Sequence, residues 1–318
     1  MPDPQVSVIL PLYNVARFVG EAAASVLSQS WSDLELIAID DGSTDDTVVE
    51  FQRAADPRAS LIRSEHRGAA AARNSGIRRA RGRYIAFMDG DDVWLPGKLE
   101  HDIAYLEAHP AADLVFSSMR IVDESGQDVG RTVRTWSGVA TLRDLLIENL
   151  IGTDTVVMRR DVFEQIGFFD EELPAGSDYD FWLGMAALRP HTIHGVPRVS
   201  ALYRRHSGQL TANWEEQLRN WNKTMAKMRG PCPSDFAGVE KVSSAGIHRA
   251  LAAIAYENGD CDAAVRLFQK ALRAAPAFLL RDRRTWLLGF ALASAIVLPG
   301  PVHQNLERIA RRARASRT

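Results

Sequence analysis

Four polar clusters in the first hundred residues carry side chains that can bind a ligand or assist a reaction. The most acidic is Asp89-Gly90-Asp91-Asp92, directly behind the apolar run Tyr84 to Met88. Three carboxylates in four residues repel one another unless a cation or ligand sits among them. Their hard oxygens suit Mg2+ or Mn2+, an ion that typically keeps waters and completes its shell with substrate phosphates. A second cluster, Asp40-Asp41-Gly42-Ser43-Thr44-Asp45, offers carboxylates that can accept from a base edge or a ribose hydroxyl; part of it must also serve as a turn and helix cap. In Arg67-Gly68-Ala69-Ala70-Ala71-Ala72-Arg73-Asn74, Gly68 lets backbone approach a ligand closely, and Arg73 can pair with a phosphate or stack on a base. Pro11-Leu12-Tyr13-Asn14, taken alone, reads as a strand stop and a turn.

The elements around these clusters explain why they should meet. Val6–Leu10, Leu34–Ile39, Leu61–Arg63 and Tyr84–Met88 read as strands, the first stopped by Pro11. Helices are expected over Arg17–Gln29, from an Asp45 cap through Phe51, and over Ala69–Arg79. Alternating strands and helices imply an α/β fold with a doubly wound, mostly parallel sheet. Such sheets bind ligands outside the carboxyl ends of their strands, where the clusters fall. After Leu95 the expected order is helix Lys98–His109, strand Asp113–Ile121, a loop or hairpin over 127–137 and helix Leu142–Asn149. Strand Thr155–Met158, a helix through Ile166, helix Asp178–Leu188, strand Val199–Arg204 and helix Trp214–Met228 follow.

Composition bounds the class. The chain has 318 residues, 46% hydrophobic and 25% charged, which excludes a wholly disordered chain, a collagen-like repeat or a polytopic membrane protein. Cys232 and Cys261 are the only cysteines, without a CxxC, so no disulfide scaffold or zinc ribbon is available and a reducing compartment is expected. Asp3 interrupts the start and no basic segment precedes an apolar one, so no secretory leader is expected. The net charge of −2 hides an asymmetry: Lys270–Thr318 holds ten Lys/Arg and two Asp/Glu, so the tail is +8 and the body −10.

The ordered set of motifs resembles the family-2 glycosyltransferases of the GT-A fold over residues 6–211. It comprises Val8-Ile9-Leu10-Pro11-Leu12-Tyr13-Asn14, Ile39 to Asp45, Gly68 with Ala72-Arg73-Asn74, and Asp89 through Trp94-Leu95-Pro96-Gly97-Lys98-Leu99. Arg159-Arg160-Asp161-Val162-Phe163 with Gly167-Phe168-Phe169-Asp170, then Gly176-Ser177-Asp178-Tyr179-Asp180-Phe181-Trp182-Leu183, continue it. Tyr203-Arg204-Arg205-His206-Ser207-Gly208-Gln209-Leu210-Thr211 resembles the segment that lies over the nucleotide in that family. Ser177 stands where members usually carry Glu, which puts an auxiliary role of that position in doubt but leaves Asp178 in place.

The resemblance implies a nucleotide-diphosphate-sugar donor, preferably a UDP-sugar, inversion at the anomeric carbon, and a glycan or lipid-linked glycan acceptor. Asp178 is then the expected catalytic base. Pro11, Tyr13, Asn14, Asp40, Asp41, Gly68, Arg73, Asp89 and His206 are expected around the nucleotide, with Asp41 slightly preferred over Asp40 for the base N–H. Asp91, with Asp89 on either the metal or the ribose, is expected to hold Mn2+ or Mg2+, and Arg73 and His206 to help neutralise the departing diphosphate. No GxSxG or Cys/His pair suggests a covalent nucleophile. Sugar-nucleotidyl transfer would call for an early glycine-rich loop with Arg, which Pro11-Leu12-Tyr13-Asn14 lacks. A degenerate binder of nucleotide-sugar or of a protein partner is the other alternative, against which stand Asp89, Asp91 and Asp178.

Four regions are expected: a transferase domain over 1–215, a helix and linker over 216–240, a helical hairpin over 241–280 and an apolar, then basic, segment over 281–318. Leu251, Ala252, Tyr256, Gly259, Ala263, Ala264, Phe268, Ala271, Leu272 and Pro276 resemble one tetratricopeptide repeat; an ordinary hairpin fits as well. One repeat cannot bury its own face, so the hairpin must pack on the domain or a protein partner. Trp286–Leu298 has thirteen residues, about 20 Å of helix, too short for a hydrocarbon core of about 30 Å. Flanking arginines suit either in-plane contact with an anionic membrane on its cytoplasmic face or a helix packed on the protein with a solvated tail. Nucleic acid is not expected, since the basic residues lack interleaved aromatics.

Overall fold

The computed structural model describes residues 3–135, 137–206, 208–209, 213–230 and 233–297. Cys232, Ser207, Leu210 and Thr211, and the basic tail from Arg308, therefore lie outside the described residues. The chain divides into two compact units: residues up to 142 with 150–206, and 143–149 with those from 207 on.

The first unit begins β1 (Val6–Leu12), α1 (Val19–Leu27), β2 (Leu34–Asp40), α2 (Thr47–Ala54), β3 (Ala59–Arg63), α3 (Ala69–Ile77) and β4 (Tyr84–Phe87). Then come β5 (Val93–Trp94), α4 (Lys98–Ala108), β6 (Leu114–Val122), β7 (Asp128–Val133) and β8 (Gly138–Val139). After α5 (Leu142–Ile147), which belongs mostly to the other unit, follow a 3-10 turn at Thr153–Thr155, β9 (Val157–Arg159), α6 (Val162–Ile166), α7 (Ser177–Leu188) and β10 (Ile193–Arg204).

The sheet order is β3-β2-β1-β4-β9-β6-β10-β5, with β7 on β6 and β8 on β10. The first four strands are parallel, β9 runs antiparallel to both neighbours, and β10 is parallel to β6 over nine aligned residues. Parallel register thus takes in most of the paired residues, in a mixed α/β fold. Pro11 does not stop β1, contrary to the sequence expectation; the strand runs on to Leu12 beside β2. The Ile9 carbonyl accepts from Met88 N, so Pro11, two residues on, turns its missing donor toward the same side, where β4 has already ended.

The core lies where strand residues such as Val8, Leu10, Leu36 and Ala86 meet Val19, Ala22 and Val26 of α1 and Leu99, Ile103 and Leu106 of α4. On α3, a Cβ at Gly76 would stand 2.5 Å from Ile9 Cγ2, so glycine sets how closely that helix lies on β1. The Trp94-Leu95-Pro96-Gly97-Lys98 segment is an anchor. Lys98 is fully buried, its ammonium 2.7 Å from Asp102 Oδ2, 3.0 Å from the Thr155 carbonyl and over the Trp94 ring. Trp94 Nε1 donates to the Asp154 carbonyl at 2.8 Å.

The second unit contains α8 (Trp214–Arg229), α9 (Pro233–Glu257), α10 (Cys261–Ala274), α11 (Pro276–Leu279) and α12 (Arg283–Val297). Helix α9 starts at Pro233, inside the segment 216–240 expected as helix and linker; proline suits the first helical position because its missing N–H has no partner there. Gly259, at φ +84°, turns α9 into α10, and Asp260 caps α10 by accepting from Ala263 N. The apolar face of this hairpin, with Leu251, Ala255 and Leu267, is covered by Leu288 and Leu292 of α12 and by Trp214 and Leu218 of α8. The chain itself therefore supplies the cover that a lone repeat lacks.

Replacing Lys98 by Met would leave Asp102 buried without its cation. Lys98→Met is expected to lower the unfolding free energy by about 3–5 kcal/mol, read as a lower urea midpoint.

Candidate active site

Two groups of side chains stand at the carboxyl ends of the parallel strands. The first joins the loops after β1 and β2 to the start of α3. Asn14, at φ +52°, donates its N–H to Ser43 Oγ and accepts from Thr44 N through Oδ1 at 2.8 Å. Asp45 Oδ1 accepts from Thr47 N at 3.0 Å, the capping role expected of it, although Asp46 directly precedes the helix. Tyr13 is exposed beyond the end of β1 and stacks on His66, ring centres 4.0 Å apart.

The two aspartates after β2 differ in their partners. Asp41 accepts from Arg67 N and Gly68 N at 2.8 Å each, and Oδ2 lies 2.9 Å from His66 Nδ1. Its carboxylate therefore holds the Gly68 corner, where φ is +94° and α3 begins. Asp40 accepts one amide, Ser43 N, at 3.2 Å through Oδ1. The sequence preference for Asp41 as the ligand-facing group thus meets a competing structural duty, and Asp40 has the fewer obligations.

The second group surrounds the Asp89-Gly90-Asp91-Asp92 loop. Gly90 lies against Pro11 and Leu12; a Cβ there would come within 2.9 Å of Leu12 Cδ2. Arg73, 7% exposed on α3, donates from Nη2 to Asp89 Oδ1 at 2.5 Å, and its buried Nε has no partner. Burial opposes the charge on Arg73, but Asp89, Asp178 and Asp154 outweigh it and hold the guanidinium ionised. Asn74, beside it, clasps the Phe169 peptide through both N–H and carbonyl. That bond ties the Gly167-Phe168-Phe169-Asp170 segment to α3.

Burial raises three carboxyls around this loop, those of Asp89, Asp92 and Asp154. Asp89 is pushed up to about 7 by burial, with Asp154 and Asp91 adding to it and Arg73 opposing. Its side chain keeps 30% of its exposure, so it is the more hydrated of the three. Asp92 lies well above the carboxylate range through burial and the charges of Asp154 and Asp91; Asp154, itself raised by burial, forms a hydrogen bond with it. The end of β10 closes over this loop. Arg204 N donates to Asp92 Oδ1 at 2.7 Å and Arg204 Nε to the Asp91 carbonyl at 2.9 Å, while Nη2 pairs with Glu21. His206 Nε2 stands 2.8 Å from Asp91 Oδ2, its ring on Phe18.

Asp178 lies in the first turn of α7, after Gly176 at φ +78°. Thr153 Oγ1 donates to its Oδ2 at 3.0 Å, and its charge acts on Arg73, which bonds Asp89. Asp178, Arg73 and Asp89 are thus brought into one electrostatic group. Thr153 and Asp154 carry no motif in the sequence, and Arg204 is visible there only as one residue of the 203–211 motif. Asp154 had one visible signal, a carboxylate among threonines just ahead of an apolar strand, but no spacing pointed it to Asp89, 65 residues earlier.

Among the described residues no three His, Cys, Asp or Glu side chains form a ready-made metal cage. A magnesium-like ion bound by one or two carboxylates and a ligand's phosphates needs none. Asp89 and Asp91 fit that requirement: they supply hard oxygens in a crowded acidic pocket where a cation relieves repulsion.

A family model described as glycosyl transferase family 2 matches residues 7–167. The chain is 30% identical over 226 residues to the Escherichia coli UDP-Glc:alpha-D-GlcNAc-diphosphoundecaprenol beta-1,3-glucosyltransferase WfgD, covering 70% of this chain and 86% of that protein. Relatives differ in length: the chain spans 40% of an uncharacterized glycosyltransferase of Rickettsia conorii and 35% of one of Rickettsia felis. Its fold is similar to that of S. aureus TarS residues 1–349 in complex with UDP-GlcNAc, with a TM-score of 0.64 at 17% identity over 92% of this chain and 91% of that one. It is also similar to the mannosyltransferase PcManGT from Pyrobaculum calidifontis in complex with GDP-Man and Mn2+. There the TM-score is 0.62 at 22% identity, over 99% of this chain and 86% of that one.

Asp41→Ala removes acceptors from two backbone amides. It is expected to destabilise the protein by about 2–3 kcal/mol, seen as a lower melting temperature without ligand, whereas Asp40→Ala, which deprives one amide, should cost about 1 kcal/mol.

Proposed function

This chain belongs to glycosyl transferase family 2, and we propose that it transfers a sugar from a nucleotide-diphosphate sugar, with inversion, to a hydroxyl of a glycan or lipid-linked glycan acceptor in cell-surface polysaccharide synthesis. The observation that carries this reading is the electrostatic group of Asp178, Arg73 and Asp89 at the carboxyl ends of the strands. A UDP-sugar is the preferred donor, a choice supported by UDP-Glc in the name of the E. coli relative and UDP-GlcNAc in the TarS complex.

Asp178 accepts the proton of the attacking hydroxyl. The oxygen's electron pair forms the bond to the anomeric carbon, and the bond to the diphosphate oxygen breaks with its pair leaving on the diphosphate. Arg73, its guanidinium held charged beside Asp89, donates to that developing charge, and His206 can do so once it parts from Asp91. Asp89 and Asp91 would hold Mn2+ or Mg2+, which when bound offsets charge on the diphosphate. Pro11, Tyr13, Asn14 and Gly68 frame the nucleoside, Tyr13 offering its exposed ring to the base and Asp40 accepting from the base N–H.

Purified protein is expected to gain thermal stability with one class among UDP-, GDP- and dTDP-sugars, only with Mn2+ or Mg2+, and to lose that gain in Asp91→Ala. Asp178→Asn should keep the gain and lose about 10²–10⁴-fold in turnover. Unchanged transfer in Asp178→Asn would remove the proposed base. Absence of any nucleotide-dependent shift would favour the degenerate alternative that binds a protein partner.

We also infer a peripheral place on an anionic membrane, a reading supported by the exposed apolar side of one helix of the second unit. Among the described residues no helix is long and apolar enough to cross a membrane. Helix α12 instead has two apolar faces: Leu288 and Leu292 are buried, while Trp286 is 61% exposed, Phe290 71% and Val297 77%. Residues 286, 290 and 297 recur at helical spacing on one side, and Arg281 and Arg283 are exposed just before them. The protein is expected to sediment with phosphatidylglycerol-containing vesicles but not with pure phosphatidylcholine. Trp286→Ser combined with Phe290→Ser should abolish this; equal sedimentation of that variant would count against it.

A further inference from the structure

The turn at Thr153–Thr155 touches both halves of the catalytic apparatus and comes from neither of the motifs that supply them. Thr153, Asp154 and Thr155 are 6%, 3% and 0% exposed. Each makes a different long-range bond. Thr153 Oγ1 donates to Asp178 Oδ2 at 3.0 Å. Asp154 Oδ1 accepts from Asp89 N at 2.6 Å. The Asp154 and Thr155 carbonyls accept from Trp94 Nε1 and Lys98 Nζ at 2.8 and 3.0 Å. The turn is closed on itself by Thr155 N and Thr155 Oγ1, both donating to the Gly152 carbonyl.

We propose that Thr153 is the positioning residue for Asp178, and that the turn carrying it sets the distance between the base and the Asp89–Asp91 loop. This rests on the reading of Asp178 as the base. Thr153 occupies Oδ2 of that carboxylate, so the other oxygen is presented to the incoming hydroxyl. A free carboxylate on a first-turn residue rotates about its Cβ–Cγ bond and offers either oxygen. One donated hydrogen bond from a buried hydroxyl selects a single orientation. The hydroxyl cannot drift, because two buried side chains from β5 and α4 grip the backbone of its turn, and Asp154 joins the same turn to the peptide of Asp89. The Trp94-Leu95-Pro96-Gly97-Lys98 segment thereby reaches the base through this turn.

The test compares Thr153→Val, which keeps shape and loses the hydroxyl, with Thr153→Ser, which keeps the hydroxyl, and with Asp178→Asn. Nucleoside diphosphate release from UDP-glucose and from GDP-mannose, with Mn2+ and water as acceptor, reads kcat and donor KM; a thermal melt reads folding. Thr153→Val is expected to lose about 10–100-fold in kcat with donor KM within about twofold, since small misplacement of a reacting group costs rate rather than binding. Thr153→Ser should recover most of that loss. Asp178→Asn inactive with Thr153→Val at wild-type kcat overturns this inference and spares the base. A raised KM at unchanged kcat, or an equal loss of kcat in Thr153→Ser and Thr153→Val, also overturns it. Turnover retained in Asp178→Asn overturns the underlying reading and this inference with it.

Discussion

Carboxylates crowded into a poorly hydrated pocket repel one another, and the first unit is arranged around that repulsion. Asp89, Asp92 and Asp154 all have their carboxyls raised by burial and by neighbouring negative charge. An unpaired buried charge costs far more than a surface one, so each must find donors or neutralise. Arg73 serves Asp89, the Arg204 amide serves Asp92, and the Asp89 amide serves Asp154. Those donors come from α3, the end of β10 and the loop itself, and the sheet brings all three to one end.

Such a pocket is unstable as a structure and useful as a binding site for the same reason. A site stripped of water makes fixed charges act strongly on whatever enters it. The scaffold therefore has to be stiff where the site is strained. Lys98 and Trp94 meet that need by holding carbonyls of the Thr153–Thr155 turn from below, within the hydrophobic core. A buried ammonium held by a carboxylate, a carbonyl and an indole face is no efficient source of stability compared with packed apolar residues. Its presence is better explained by the position it imposes on the turn.

The second unit follows another logic. Its helices bury small and aliphatic residues against one another, Ala252, Ala255, Ala263 and Ala264 among them, which permits close packing of α9 on α10. Helix α12 contributes one face to that core and leaves aromatic residues on the other. An apolar face left to solvent is uncommon in a soluble protein unless something covers it.

The sequence by itself determined the parallel strands, the helices between them and the polar clusters at the strand ends. Those are set by local hydrophobic period and by turn chemistry, which a linear reading can see. Asp91, Asp178, Arg73 and His206 could be named because they sit in motifs. Tertiary structure decided what periodicity cannot carry. It gave Asp41 to the Arg67 and Gly68 amides, and let Pro11 stay inside a strand because β4 ends before reaching it. It also brought Thr153 and Asp154 to Asp178 and Asp89, across 25 and 65 residues. Such contacts depend on where separate strands end in space, and no local pattern encodes that distance.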